Sequence, residues 1–203
     1  MGQYYLPYVK TGNKITVFNN EVDGDYNGLK LMEHSYWRNE FVGNVINYLY
    51  YNRSRVCWVG DYYDEGIAYP SQIDSEEHVK QIGHRVWADG QKLTECHKKD
   101  VMTLDDKILV NHTQKIFIRG NDFFGRNKWV ETWEGKDYEC CINPLPLLTC
   151  TASHSGGSYY GVNREECGSW FYDKLEVIDD NKEEINNLLE QGYTEDNTLI
   201  FKE

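Results

Sequence analysis

Apolar positions along the chain follow two periods, one of two residues and one of three to four. Between Asn39 and Tyr51, the residues Phe41, Val42, Val45, Ile46, Leu49 and Tyr50 lie on one helical stripe, and Asn39 suits the N-cap. Ser75–Trp87 reads as a second helix, with Ser75 and Glu76, Glu77 at its start and Val79, Ile82 and Val86 on its buried face. A third helix is predicted over Asp180–Gln191. Asp180 is its expected N-cap, Glu183 follows three residues on, and Gly192 ends it.

The two-residue period marks strands. Gln3–Val9 and Lys14–Asn19 flank Thr11-Gly12-Asn13 and predict an N-terminal hairpin. Arg55–Val59 is a short apolar strand that closes on Gly60. Residues 107–119 alternate Ile108, Val110 and Ile116, Ile118 around a turn at Asn111–Gln114, a second hairpin. Lys128–Trp133 and Tyr138–Ile142 suggest a further β pair around Gly135. Lys174–Ile178 and Thr198–Lys202 complete the set. Residues 20–28, 61–66 and 143–168 read as loops, and 88–104 as loop or ragged structure.

Strands that come in groups rather than alternating with helices predict an α+β fold, a mostly antiparallel β-sheet with about three helices. One domain over residues 1–203 is expected, with 88–104 as the weak point if two lobes exist. Residues 53–61 and 172–180 echo each other: each is a basic residue, an apolar strand, then acid. A duplicated half-domain and a chance agreement of strand patterns both account for this, and chance is the simpler account.

Composition narrows the class. Aromatics make up 14% of the chain, which argues against disorder. No apolar run reaches the roughly 20 residues a membrane helix needs. The start, MGQYYLPYVK, has no charged segment followed by an apolar core, so no secretory leader is expected. The six cysteines are then expected to be free thiols in a reducing, cytoplasmic compartment, without disulfides. The net charge is −12 and it is skewed: residues 165–203 hold 12 acidic and 3 basic side chains. Such a C-terminal third repels a phosphate backbone and attracts a basic protein surface.

Several segments invite chemistry. Asp61, Asp64 and Glu65 follow a strand end and form a carboxylate cluster suited to acid/base work or a divalent cation, although their spacing is not that of a regular calcium loop. His154, Gly156 and Gly157 lie in a Gly-rich stretch able to offer backbone amides to an anion, and Cys150 stands four residues ahead of His154. No C-x-x-C pair supports a structural zinc site. Tyr36, Trp37 and Arg38, and again Phe123, Phe124, Arg126, Lys128 and Trp129, mix aromatic with basic residues. Core packing or a protein-binding patch explains them better than single-stranded nucleic acid does.

Met-Gly-Gln-Tyr-Tyr (1–5), Gly-Leu-Lys-Leu-Met-Glu-His-Ser-Tyr (28–36), Val-Gly-Asp-Tyr (59–62), Leu-Val-Asn-His-Thr (109–113) and Pro-Leu-Pro-Leu-Leu-Thr (144–149) occur in this order. As a set they resemble a family of small proteins of bacteria and their phages. The resemblance implies a cytoplasmic bacterial or phage setting and supplies no catalytic residue. The resulting expectation is a non-enzymatic acidic binding protein. Its partner would be a protein with a basic surface, in a phage setting a host defence factor. No cofactor, metal, nucleic acid or membrane is expected, and nothing excludes a homo-oligomer. The alternative is a small hydrolase or a ligand- or metal-binding protein using Asp61, Asp64 and Glu65 with His154.

Overall fold

The computed structural model describes residues 4–19, 29–31, 35–61, 76–87, 94–95, 101–151 and 166–199. The hairpin of β1 (Tyr4–Thr11) and β2 (Lys14–Asn19) turns at Gly12, whose φ of +57° favours a residue without a side chain. The two-residue strand β3 (Leu29–Lys30) pairs with β1. Next come α1 (Glu40–Tyr51), β4 (Ser54–Gly60), α2 (Glu76–Trp87) and the two-residue β5 (Thr94–Glu95). Asn39 caps α1 as expected, its side chain accepting from the amides of Phe41 and Val42.

The second half opens with a hairpin of β6 (Lys107–Asn111) and β7 (Ile116–Arg119). It continues through α3 (Gly120–Asn127), the pair β8 (Trp129–Trp133) and β9 (Lys136–Cys140), α4 (Pro144–Thr149), β10 (Lys174–Asp179), α5 (Lys182–Glu190) and β11 (Thr194–Glu195). Nine of the described strands form one sheet in the order β11-β7-β6-β10-β4-β1-β2-β5, with β3 on β1. Among the described strands, β11 on β7 and β5 on β2 pair parallel and the other strand pairs are antiparallel. The expected α+β class with a mostly antiparallel sheet is therefore observed, with five helices among the described residues rather than three.

The two halves share a common order among the described residues. A hairpin leads, past β3 in the first half and past α3 and the β8–β9 pair in the second, to a helix, a central strand, a further helix and an edge strand parallel to the second strand of the hairpin. The central strands β4 and β10 meet antiparallel in the middle of the sheet. The packing is crossed as well, because α1 lies on β10 and α4 lies on β4. The sequence echo between residues 53–61 and 172–180 falls on these two central strands.

Apolar side chains cover both faces of the sheet. Leu109, Ile118, Leu175 and Val177 share the main core with Val45, Ile46 and Leu49 of α1 and with the fully buried Trp58. On the other face Ile108, Val110 and Phe117 form a smaller cluster with Leu188 of α5. Burial of this kind contributes about 25 cal/mol per Å² of apolar surface, which is why the sheet orders the flanking helices.

Four expectations need correction. The segment predicted as loop after Ile142 begins with α4. Asn143 accepts from the Leu145 amide, Pro144 fits the first turn, and Leu145, Leu147 and Leu148 are fully buried. Residues 120–127 form α3, which two glycines and the lack of a capping side chain concealed. The cap of α5 is Asn181, whose side chain accepts from the Glu184 amide; Asp180 instead pairs with Arg119 at 3.1 Å. At its other end α5 closes as expected on Gly192 at φ +80°. The Gly192 amide donates to Leu189 and the Tyr193 amide to Leu188. Thr198 and Leu199 are not in a strand. The chain pairs earlier, at β11, and the Asp196 carboxylate then accepts from the Thr198 amide and hydroxyl, turning it away. The division considered near 88–104 and the loop at 20–28 fall largely or wholly outside the described residues.

Candidate binding site

Among the described residues the pair β8–β9 is in register with no strand of the main sheet and forms a two-stranded sheet of its own. Its tip is a two-residue turn, Glu134-Gly135, with φ of +51° and +75°. That left-handed pair matches the twist of a tight hairpin. Polar contacts brace the arm: Thr132 donates to Asp137 at 2.7 Å, Lys128 pairs with Glu139 at 2.7 Å, and the Trp129 indole donates to Glu131 at 2.9 Å. A free-standing pair of strands is marginally stable in water, so its cross-strand contacts must hold it. Yet it exposes large apolar side chains. Trp133 is 73% exposed, Val130 60% and Tyr138 48%.

A turn at Tyr36–Arg38 stands against the base of this arm. Tyr36 bridges to Ile142, the Trp37 amide donates to the Cys141 carbonyl at 2.9 Å, and the Asn143 amide donates to Ser35 at 2.6 Å. Trp37 is buried. Its ring stacks on Phe123 at 6.0 Å and tilts against Phe124 at 5.2 Å, and its indole N–H donates to Asp105 at 2.9 Å. Helix α3 thus supplies the floor through Phe124, with Phe123 buried against Trp37. Tyr36, 43% exposed, forms one wall and the arm forms the other.

Between them lies a groove of about 540 Å³. Tyr36, Trp37, Phe124, Trp133 and Tyr138 give it an aromatic lining, with Glu131, Glu139, Arg38 and Cys140 among its polar members. The cross-strand register puts Glu131 opposite Tyr138 and Trp133 opposite Lys136, so carboxylate and aromatic side chains alternate along one face. Burial, with Glu131 and Cys140 nearby, raises the Tyr36 phenol above its ordinary value. Burial, with Glu131 beside it, also raises the Cys140 thiol, and burial pushes Cys141 up to about 12. These thiols stay protonated at neutral pH and are poor nucleophiles. The groove is therefore equipped to bind apolar and cationic groups, not to attack a substrate through sulfur.

Two of the sequence-predicted site residues, Tyr36 and Trp37, come together here. Asp61 belongs elsewhere, at the end of β4. Its carboxylate accepts from the Tyr4 amide at 3.1 Å and its amide donates back to the Tyr4 carbonyl at 2.9 Å, an edge-closing contact. Asp64, Glu65, His154, Gly156 and Gly157 lie outside the described residues. Among the described residues no group of three or more His, Cys, Asp or Glu side chains could hold a metal ion, and the cysteines there are free thiols. No described helix is long and apolar enough to cross a membrane.

Much of the C-terminal acidity is engaged within the molecule. Glu176 pairs with Arg53 at 2.7 Å and contacts His112 at 2.8 Å. Asp179 pairs with Lys107 at 2.8 Å and Asp180 with Arg119. Asp173 is buried and accepts from Asn111 and Gln114. Glu183, Glu184 and Glu190 of α5 remain exposed or half-exposed. The arm itself was legible in sequence only as a β pair. Its sign was that neither face of Trp129–Trp133 is uniformly apolar.

In comparison with known proteins, no family model, no curated protein and no solved structure matches this chain, so the resemblance drawn from its segments finds no support there and the site rests on its own geometry.

Proposed function

We propose that this protein is a binding module that docks a protein partner on the β8–β9 arm and its aromatic groove, without chemistry of its own. The observation that carries this reading is a separate two-stranded arm that exposes Trp133 and Tyr138 above a groove floored by Trp37 and Phe124, with Val130 exposed on the arm's other face. Tyr and Trp are residues that interfaces favour, because a large rigid surface is buried at small entropic cost. The arm also carries Glu131, Glu134, Asp137 and Glu139 against Lys128 and Lys136. This excess of carboxylates favours a partner segment with lysine or arginine between apolar residues. Among the described residues the outer edges of β8 and β9 pair with no further strand, and they offer main-chain groups to an added one.

Photo-crosslinking tests the assignment. A photoreactive residue at position 133 or 138 is expected to give discrete adducts in cell lysate, competed by excess unlabelled protein. The same residue at position 189, exposed on α5, is expected to give none. Adducts from 189 and not from the arm would move docking to the acidic helix. Self-adducts from the arm would assign it to a second copy of the chain.

A further inference from the structure

The main sheet carries a feature that protein docking does not explain. Lys10 on β1 faces Arg55 on β4, and Arg55 faces Lys174 on β10. Side chains in register on neighbouring strands point to the same face, so three cations stand in one row across about 10 Å. Like charges directly opposite destabilise a sheet. In a chain of net charge −12, no carboxylate among the described residues forms an ion pair with any of the three.

Arg55 is held in place rather than loose. Its Nη1 donates to the Tyr172 carbonyl at 2.9 Å, and its guanidinium lies 5.3 Å from the centroid of the Tyr172 ring. Tyr172 makes this possible with a left-handed backbone, φ +61°, a conformation that disfavours residues with a side chain. Strain held in place beside a cluster of like charges marks a position kept for something other than stability. The remaining N–H donors of Arg55 form a planar fork suited to bidentate oxyanions. Arg53 joins the cluster and shares Glu176 with His112, so that carboxylate is already committed to two partners; Asp173, which feels the charge of Arg55, is buried and accepts from Asn111 and Gln114. Lys10, Arg53, Arg55 and Lys174 line a groove of about 290 Å³. It opens past Gly12, where an added Cβ would meet nothing within 4 Å.

We infer that this row is an anion site that binds a phosphoryl group, with a diphosphate as the best fit. The Arg55 fork engages one phosphoryl group, and the flexible lysines on the flanking strands close on its neighbour. The remaining negative charge of the molecule is no bar, because screening limits its reach to about 8 Å at physiological salt.

Calorimetric titration of the full chain with inorganic pyrophosphate at physiological salt tests this. Saturable one-site binding is expected, with inorganic phosphate binding more weakly. Arg55→Gln is expected to weaken pyrophosphate binding by about tenfold or more, the size of a lost charge-assisted contact. The double variant Lys10→Gln/Lys174→Gln serves if Arg55→Gln does not fold, and is expected to weaken binding similarly while leaving the ligand-free unfolding midpoint equal or higher. Three outcomes overturn the inference: no saturable binding to the wild-type chain, equal binding to the double variant, or heat reproduced by sodium chloride at matched ionic strength.

Discussion

Helix α3 is the part of the groove most exposed to a single atom's change. A Cβ built at Gly120 would lie 1.9 Å from the Leu104 carbonyl oxygen and 2.8 Å from its carbon. Both are backbone atoms, and the Leu104 oxygen already accepts from the Lys107 amide at 3.1 Å. Relief needs a shift of more than an ångström in either the turn or the helix. Replacing glycine in a helix by alanine gains up to about 1 kcal/mol. Overpacking of this kind costs about 1–3 kcal/mol and more when backbone must move, so Gly120→Ala is expected to lose about 2 kcal/mol net. In a chain of this size that lowers the unfolding midpoint by roughly 4–8 °C. Gly125→Ala on the same helix is the control: its Cβ meets nothing within 4 Å, so it should be stabilising by about 0.5–1 kcal/mol. Urea unfolding followed by tryptophan fluorescence measures both, and Trp37 on Phe123 and Phe124 reports any movement of α3. The reasoning is refuted if both variants shift stability in the same direction.

Three other outcomes follow from particular contacts. Asn181→Ala should cost about 1 kcal/mol in urea unfolding through loss of the α5 cap, whereas Ser at the same position should restore most of it. Glu176 has its carboxyl lowered, first by the His112 hydrogen bond and then by Arg53. Its contribution is present in full above the ordinary carboxylate range near pH 4.3 and is lost as pH falls through the folded value, so Glu176→Gln should flatten the acid limb of a pH–stability curve. Cys140 is the half-exposed thiol among the described cysteines, while Cys57, Cys141, Cys150 and Cys167 are buried. A disulfide-exchange reagent should therefore show one fewer fast equivalent in Cys140→Ser, and that phase should quicken as pH rises because the thiol is raised.

Local signals were readable wherever one residue decides the structure. Asn39 at the start of α1, Gly192 at the end of α5 and the alternation at Ile108, Val110, Ile116 and Ile118 each act within a few residues. The helices α3 and α4 escaped because their stability comes from tertiary burial of Phe123, Leu145 and Leu148, which no short window contains. Asp180 looked like a cap because aspartate and asparagine both suit that role; Arg119, far away in sequence, drew it elsewhere. Tyr36 and Trp37 stood out by residue type, and the structure places both at the groove. Their partners on the arm did not stand out, because the groove depends on β8–β9 standing clear of the sheet. The cationic row shows the same limit, since Lys10, Arg55 and Lys174 meet only through strand register.

The central claim is that the arm carries the docking energy. Trp133 has 73% of its surface free, roughly 180 Å² of a side chain of about 250 Å². At about 25 cal/mol per Å² its full burial is worth up to ~4.5 kcal/mol, of which ordering and incomplete cover leave about 2–3. The affinity of the crosslinked partner for Trp133→Ala, measured by titration, is therefore predicted to fall roughly 30- to 150-fold while the unfolding curve stays unchanged. An unchanged affinity, or a comparable loss only when Glu183, Glu184 and Glu190 are neutralised together, would contradict it.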